Sequence, residues 1–564
     1  MRPSGRTVAV SARLGGKSAL STSSNVEVGV SQVERANGLL GTGGRGCSSN
    51  TRRVYLSSMF VLYCALKPQH ARAAPRVMLW VIAGITVILG SACLDRLGVP
   101  DKSPLGSLVI SEENQRAGSR DWDAGLHLPW DTPVGGYALP FSLQAGETLH
   151  VFVTAPRGSV SVQIYRLGWY GGSGARLVAE HPDRSVARQP ACTPASPAPS
   201  VCDWAETDRF AVDSRWVPGV YLAKFVDVLG EAGAYPFVVR SSRPAAFHVV
   251  LPFLTYQAYN NWGGTSLYYG PGSTRSEAYA NRAVKVSFAR PFALPDLDGQ
   301  FLGIDYLLVR WLEQNAYDVT YLTDYDFHLH RGIDPEATAW LFAGHSEYWS
   351  WPMWLQANSA RAQGISLGFL GGNDIYWLVR FETGSVNGLD APVVVCYKDA
   401  AKDPMGTTPG LATTHFRSSP NNSPENSLVG VMSPGGLLVK NPPVDLVVAN
   451  GSDALMAGTG LNTGEHIPGV AGWEGDRIID NGATPNGIRV LFQSPYVPVG
   501  DSTATGLLQA TIYEWPASGA LVYASGEPGF ARGLATYRQY VARGPIQRFL
   551  ENLLHAFADA RRQR

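Results

Sequence analysis

The pattern of apolar and polar positions changes twice along the chain. Between about residues 125 and 242 the apolar runs are short, rich in valine and aromatic residues, and bounded by Gly, Pro or Asp: LHVFVTA, SVSVQIYRLG, GVYLAKFVDV and AYPFVVRS. In the second run Val160, Val162 and Ile164 face one side of a strand while Ser161 and Gln163 face the other, the period-two signature of a half-buried strand. Several such runs predict a β-sandwich domain over 125–242. From about Ala245 strand-like and helix-like runs alternate: AFHVVLPFL, IDYLLVRWLEQN, YDVTYLTD. This alternation predicts a layered α/β domain with a mostly parallel central sheet over 245–564. Short strands return after Cys396 (DLVVAN, IRVLFQS, QATIYEW, ALVYASG). The chain then closes with a helix in which Ile546, Phe549, Leu550, Leu553, Leu554 and Phe557 share one face.

The centre of this pattern lies between Ala337 and Trp377. An apolar strand (Ala339 to Ala343) ends in His345 and Glu347, an amphipathic segment (MWLQANSARAQG) follows, and a second apolar strand ends in Gly371, Gly372 and Asn373. Parallel strands buried on both faces read in this way, and in such sheets ligands bind beyond the carboxyl ends of the strands. His345 and Glu347 are two apart, so an extended backbone points both to one side. The long insertion between Thr255 and Phe292, with the aromatic stretch TYQAYNNWGGTSLYYGPG, starts where the strand before it ends, which places it over the same crevice. Connections of this length in compact domains are functional or disordered, and this one is too aromatic for disorder.

The N-terminal region has a different character. Residues 1–76 are rich in Ser, Gly and Arg, with Glu27 and Glu34 as the only acids, and read as disordered or as an over-extended reading frame. Residues 77–94, VMLWVIAGITVILGSACL, carry no charge and, at about 18 residues, are long enough to enter a bilayer. Lys67, Arg72 and Arg76 before them favour a cytoplasmic N-terminal side. The segment reads either as an uncleaved signal anchor or as a signal peptide of lipoprotein type with Cys93 as the lipidated residue. Both readings place the body of the protein outside the cytoplasm, periplasmic or at the cell surface, and membrane-anchored. Cys192 and Cys202 bracket the loop TPASPAPSV, a spacing that suits a short disulfide in an oxidising compartment.

Composition narrows the chemistry. Lys plus Arg equals Asp plus Glu at 46 each, so no charge bias points to nucleic acid, and the six scattered cysteines form no zinc-type cluster. The chain lacks a GxSxG elbow, a GxxxxGK[ST] loop and an HExxH motif, which disfavours a serine hydrolase. Cys396, after an apolar strand, is a nucleophile only if a histidine from elsewhere joins it; a buried structural cysteine is the commoner case. What remains is a set of oxygen and nitrogen donors over one face: Tyr256, Tyr259, Tyr268, Tyr269, His345, Glu347 and Asn373. Phenolate and carboxylate are hard donors suited to a hard cation such as ferric iron. Tyrosines in glycine-rich loops also often only stack or donate hydrogen bonds, and the pattern by itself leaves both readings open.

The ordered motifs RLGWYGGSGARLV, VPGVYLAKF, YQAYNNWGGTSLY, SFARPF, RWLEQNAYDVTYLTDYDFH, GHSEYWS, FLGGNDIYW and VCYKD resemble the large-subunit domain of N,N-dimethylformamidase and its relatives over roughly residues 125 to 560. The resemblance implies a β-sandwich-like region before an α/β domain, a mononuclear iron (Fe3+) site held by two tyrosinates and one glutamate, and hydrolysis of a formamide C–N bond. Carried over residue by residue, it makes Glu347 the carboxylate ligand, Tyr259 one tyrosinate and Tyr268, in preference to Tyr269, the other. His345 then becomes an acid/base or water-orienting group, Asn373 the residue that orients the substrate carbonyl, and Glu474, in AGWEGDRI, a second acid/base partner or else a surface turn residue. The expected partners are a small amide-type substrate and, through the N-terminal segment, a membrane, with no nucleic acid; self-association stays open. The competing expectation is a non-catalytic cell-surface carbohydrate- or ligand-binding protein that uses Trp169, Tyr170 and Trp262.

Overall fold

The computed structural model describes residues 105–126, 133–193, 199–435, 439–440, 442–499 and 505–563. The two N-terminal segments read from the sequence, 1–76 and 77–94, lie outside these residues. Among the described residues no helix is long and apolar enough to cross a membrane.

Eight strands come first: β1 (Gly135–Leu139), β2 (Ser142–Leu143), β3 (Thr148–Thr154), β4 (Ser159–Leu167), β5 (Ala175–Ser185), β6 (Asp208–Ala211), β7 (Gly219–Asp227) and β8 (Ala232–Val239). They form a three-stranded sheet in the order β1-β3-β6 and a five-stranded sheet in the order β2-β8-β7-β4-β5. All pairs are antiparallel except β2 with β8. As the alternation requires, Val160, Val162 and Ile164 are buried, while Ser161 and Gln163 reach outward to the Glu180 carboxylate at 2.9 Å. The sheets touch at Gly136 of β1, where an added Cβ would lie 2.5 Å from the ring of Phe225 on β7.

The second set comprises β9 (Phe247–Leu251), β10 (Lys285–Ser287), β11 (Val319–Thr323), β12 (Ala339–Ala343), β13 (Tyr348–Ser350), β14 (Ser366–Leu370), β15 (Trp377–Glu382), β16 (Val393–Val395), β17 (Arg489–Tyr496), β18 (Gly506–Trp515) and β19 (Ala520–Ala524). Their main sheet has the order β11-β9-β12-β14-β19-β18-β17. From β11 to β19 every neighbour runs parallel, and β18 and β17 complete it antiparallel. The fold is thus α/β with mixed sheets, and the parallel strands β9, β12 and β14 are fully buried, as their unbroken apolar runs predict. A smaller mixed sheet has the order β10-β16-β15-β13.

Four helices matter for the site: α1 (Phe253–Tyr259), α2 (Tyr306–Gln314), α3 (Trp351–Ala362) and α4 (Gly544–Arg562). α3 is the crossover between β12 and β14; Ser350 caps it and Pro352 stands in its first turn. α4 buries all six residues of its apolar face. One boundary differs from the sequence reading: AFHVVLPFL is not strand throughout, because β9 ends at Leu251 and α1 begins at Phe253. Pro252 between them has no N–H for the ladder and cannot extend a central strand. The connection between Thr255 and Phe292 is likewise not a bare loop; it contains most of α1, a short helix Arg275–Ala280 and β10.

Candidate active site

Strand order reverses direction at β9, whose neighbours β11 and β12 come from different crossovers, and a crevice at such a point is where open α/β sheets bind ligands. The register Ala343↔Leu370 levels the carboxyl ends of β12 and β14, so the segment bearing His345 and Glu347 lies beside the one bearing Gly372 and Asn373. The two chains nearly touch: an added Cβ on Gly371 would sit 1.3 Å from the Gly344 carbonyl oxygen. From β9 the chain enters α1, which delivers Tyr259 at its last turn. The return carrying Tyr268 is fixed by Arg290, a fully buried side chain whose guanidinium donates to the carbonyls of Thr265 (2.9 Å), Gln257 (2.7 Å) and Asn260 (2.8 Å).

These elements bring all six predicted residues to one cavity of about 510 Å³. The Tyr268 hydroxyl donates to Glu347 Oε1 in a short hydrogen bond, and the rings of Tyr259 and Tyr268 lie 4.6 Å apart. His345 Nδ1 faces the Gly372 carbonyl at 2.7 Å. This turns Nε2 to Glu347 Oε2 (3.2 Å), the Tyr259 hydroxyl (3.3 Å) and Glu474 Oε1 (3.8 Å). Glu474, open in sequence between acid/base partner and surface turn, lines the cavity half-buried, and its carboxylate interacts with the Asn373 side chain. Asn373 has φ +52°, an uncommon conformation held by its N–H donating to Asp476 Oδ2 at 2.8 Å.

The electrostatics follow from burial and close carboxylates. Burial would lower His345, but Glu474 and Glu347 outweigh it and push it up to about 10. Burial would raise Glu347; its hydrogen bond and charge interaction with His345, with Lys398 behind them, hold it below the usual range. Burial, and then the charge of Glu347, hold the Tyr259 and Tyr268 phenols well above theirs. A hard cation among the three oxygens is the change that would bring both phenols to phenolate, because it reverses the sign of the local field. Tyr259, Tyr268 and Glu347 therefore fit such an ion by donor chemistry and proximity. Among the described residues no group of three or more His, Cys, Asp or Glu side chains is placed to hold a metal ion.

Residues 161–542 match the model for "N,N-dimethylformamidase beta subunit-like, C-terminal". The chain belongs to that family. The matched span includes every residue named in the cavity and ends just before α4. No curated protein sequence matches the chain. Among solved structures, a Paenibacillus sp. cycloisomaltooligosaccharide glucanotransferase aligns over 47% of this chain and 34% of its own, at 10% identity and a TM-score of 0.14, which is too low to carry an argument.

Several residues of this N,N-dimethylformamidase-like site fall differently from the sequence reading. Tyr256 leaves the donor set: it is buried, and its hydroxyl donates to Asp305 in a short hydrogen bond. Tyr269 borders the cavity but is 43% exposed, whereas Tyr268 reaches Glu347. Cys396 is wholly buried on the small sheet, and burial pushes its thiol up to about 12, which removes the thiolate a nucleophile needs. Nor do the three aromatics of the binding-protein reading form an exposed platform. Tyr170 is buried against Glu113 and Arg166, Trp169 stacks under Arg310, and Trp262 packs on Gly135.

Sequence reasoning missed Trp473, Arg532 and Lys398, and a set of buried acids beneath the floor. Lys398 Nζ stands 3.1 Å over the Tyr268 ring, and burial pushes it down to about 7. Burial raises Asp305 and Asp476 to about 7 and Glu527 to about 8. A single acid inside the apolar run around Asp305, and the charged residues of AGWEGDRI and VCYKD, were the available signals.

Proposed function

We propose that this protein is a metal-dependent, most plainly iron-dependent, hydrolase of an amide-type C–N bond, tethered to a membrane outside the cytoplasm. Family membership supports the amide hydrolase reading at a coarse level. The observation that carries the finer reading is the convergence of Tyr259, Tyr268 and Glu347 with His345, Asn373 and Glu474 on one cavity. The two facing sheets over 125–242 are read as the sandwich domain that precedes the catalytic one. The Cys192–Cys202 disulfide and the uncharged run at 77–94 support the extracytoplasmic, tethered reading.

Held by Tyr259, Tyr268 and Glu347, ferric iron would supply Lewis-acid polarisation of the substrate carbonyl and acidify bound water. The protein's own part is proton handling and orientation. Glu474 and Glu347 keep His345 protonated, so His345, its Nδ1 committed to the Gly372 carbonyl, presents Nε2 to give a proton to the leaving amine, while the Glu474 carboxylate, raised by burial, takes the proton of the attacking water. Glu474 stabilises that imidazolium from the cavity side. Asn373 aligns the carbonyl, and Tyr376 and Trp377 form a wall that restricts water.

Metal analysis by mass spectrometry together with the visible spectrum tests this. The expected outcome is near-stoichiometric iron with a tyrosinate-to-iron charge-transfer band that disappears in Tyr259→Phe and Glu347→Ala. A colourless protein that stays metal-free after iron reconstitution overturns the iron reading.

A further inference from the structure

Among the described residues, Arg532 is the one strongly basic side chain buried in the wall of this cavity. It lines the space with Trp473, Pro528 and Ile304, and only 6% of it is exposed. Its Nε donates to the Gly303 carbonyl at 3.1 Å, and the guanidinium lies 3.3 Å over the Trp473 ring. Trp473 itself adopts φ +74°, so an uncommon backbone conformation presents the indole face to the cation. What the guanidinium lacks is an anion. Its Nη1 makes no hydrogen bond. Glu527, the carboxylate that influences it, turns Oε2 to the Gly529 and Gly472 N–H groups at 2.6 and 3.2 Å instead. A buried arginine held by one carbonyl, the Trp473 face and the neighbouring Tyr540 side chain, with Nη1 unpaired, keeps part of its desolvation cost uncompensated. Such a side chain in a ligand cavity is a recognition group whose partner arrives with the ligand.

We propose that Arg532 binds a carboxylate on the substrate, and that the substrate class is therefore an amide whose acyl or amine half carries a carboxylate, rather than a simple dialkylformamide. A carboxylate is the anion that a single planar guanidinium fork matches with two parallel hydrogen bonds. The size of the space agrees. A cavity of about 510 Å³ lies inside the about 300–1,000 Å³ range of sites for drug-sized ligands, and a small formamide fills only a fraction of it. Arg275, on the exposed rim of the same cavity, adds a second positive charge that draws anions toward the opening. The anion-binding half of the proposal stands on Arg532 alone; the amide half rests on the hydrolase reading above.

The two halves separate in one calorimetric experiment on the full chain, with N-acetylglycine and N-acetylglycine methyl ester as paired probes that differ by one charge. The expected result is at least tenfold tighter binding of the acid, with the preference lost in Arg532→Gln and partly retained in Arg532→Lys. Acid and ester binding equally to the wild-type protein, neither binding at millimolar concentration, or a preference that survives in folded Arg532→Gln would each overturn the proposal. The wild-type comparison needs no variant, so misfolding of Arg532→Gln does not leave the question open. A protein that prefers the acid yet cleaves neither probe nor N-formylglycine keeps the anion site and counts against the amide hydrolase reading.

Discussion

Arg290 spends its donors on the carbonyls of Gln257, Asn260 and Thr265, the backbone on either side of Tyr259 and before Tyr268. Replacing it with methionine leaves those buried acceptors unpaired, at about 1–3 kcal/mol each. The expected outcome for Arg290→Met is a loss of at least about 3 kcal/mol in urea unfolding, with loss of any charge-transfer band even where the protein remains folded. The glycines give a graded test. Gly344 has φ +49° and an added Cβ would first meet the Asp305 side chain, whereas on Gly371 it would meet the Gly344 backbone oxygen at 1.3 Å. Gly344→Ala should therefore cost about 1–3 kcal/mol, and Gly371→Ala clearly more, with both read from denaturation midpoints. At this scale the sequence was legible where spacing and local order decide. His345 with Glu347, and Asn373 after its strand, came directly from the pattern. Arg532 was not legible, because FARGLATY has no periodicity or motif that marks its arginine, and its meaning depends on a tryptophan about sixty residues earlier in the chain.

Among the elements, the decisive joint is between β4 and α2. Arg166 and Glu313, both wholly buried, form a two-pronged ion pair at 2.9 and 3.0 Å. Arg166→Met alone strands a buried carboxylate and should cost about 3–5 kcal/mol, while Arg166→Met with Glu313→Leu should recover most of that loss; a double-mutant cycle in urea measures the difference. α4 offers a simpler case, since Phe557 packs within 3.3 Å of where a Gly368 Cβ would be, and Phe557→Ala should cost about 3–5 kcal/mol. The helix face and the sandwich strands were readable because burial imposes their periods directly. The partner of each parallel strand was not. Pairing of β14 with β19 joins Leu367 to Val522, and no local pattern encodes a contact of that span.

At the scale of the molecule, the Cys192–Cys202 bridge spans a separation of 10 residues and holds Cys202 where its N–H donates to Ala289 and its carbonyl accepts from Tyr137. Removing it by Cys192→Ser with Cys202→Ser should lower stability by about 2–3 kcal/mol, measured by thermal unfolding, without altering the cavity residues. The main sheet has a further consequence for how the chain is made. β14 is flanked on one side by β12, which precedes it, and on the other by β19, which is synthesised some 150 residues later. While the ribosome works through that interval, the floor of the crevice has an open, apolar strand edge of the kind that recruits foreign strands. The cavity therefore comes into being late in translation, and a nascent chain released early is a seed for aggregation rather than a partly assembled site.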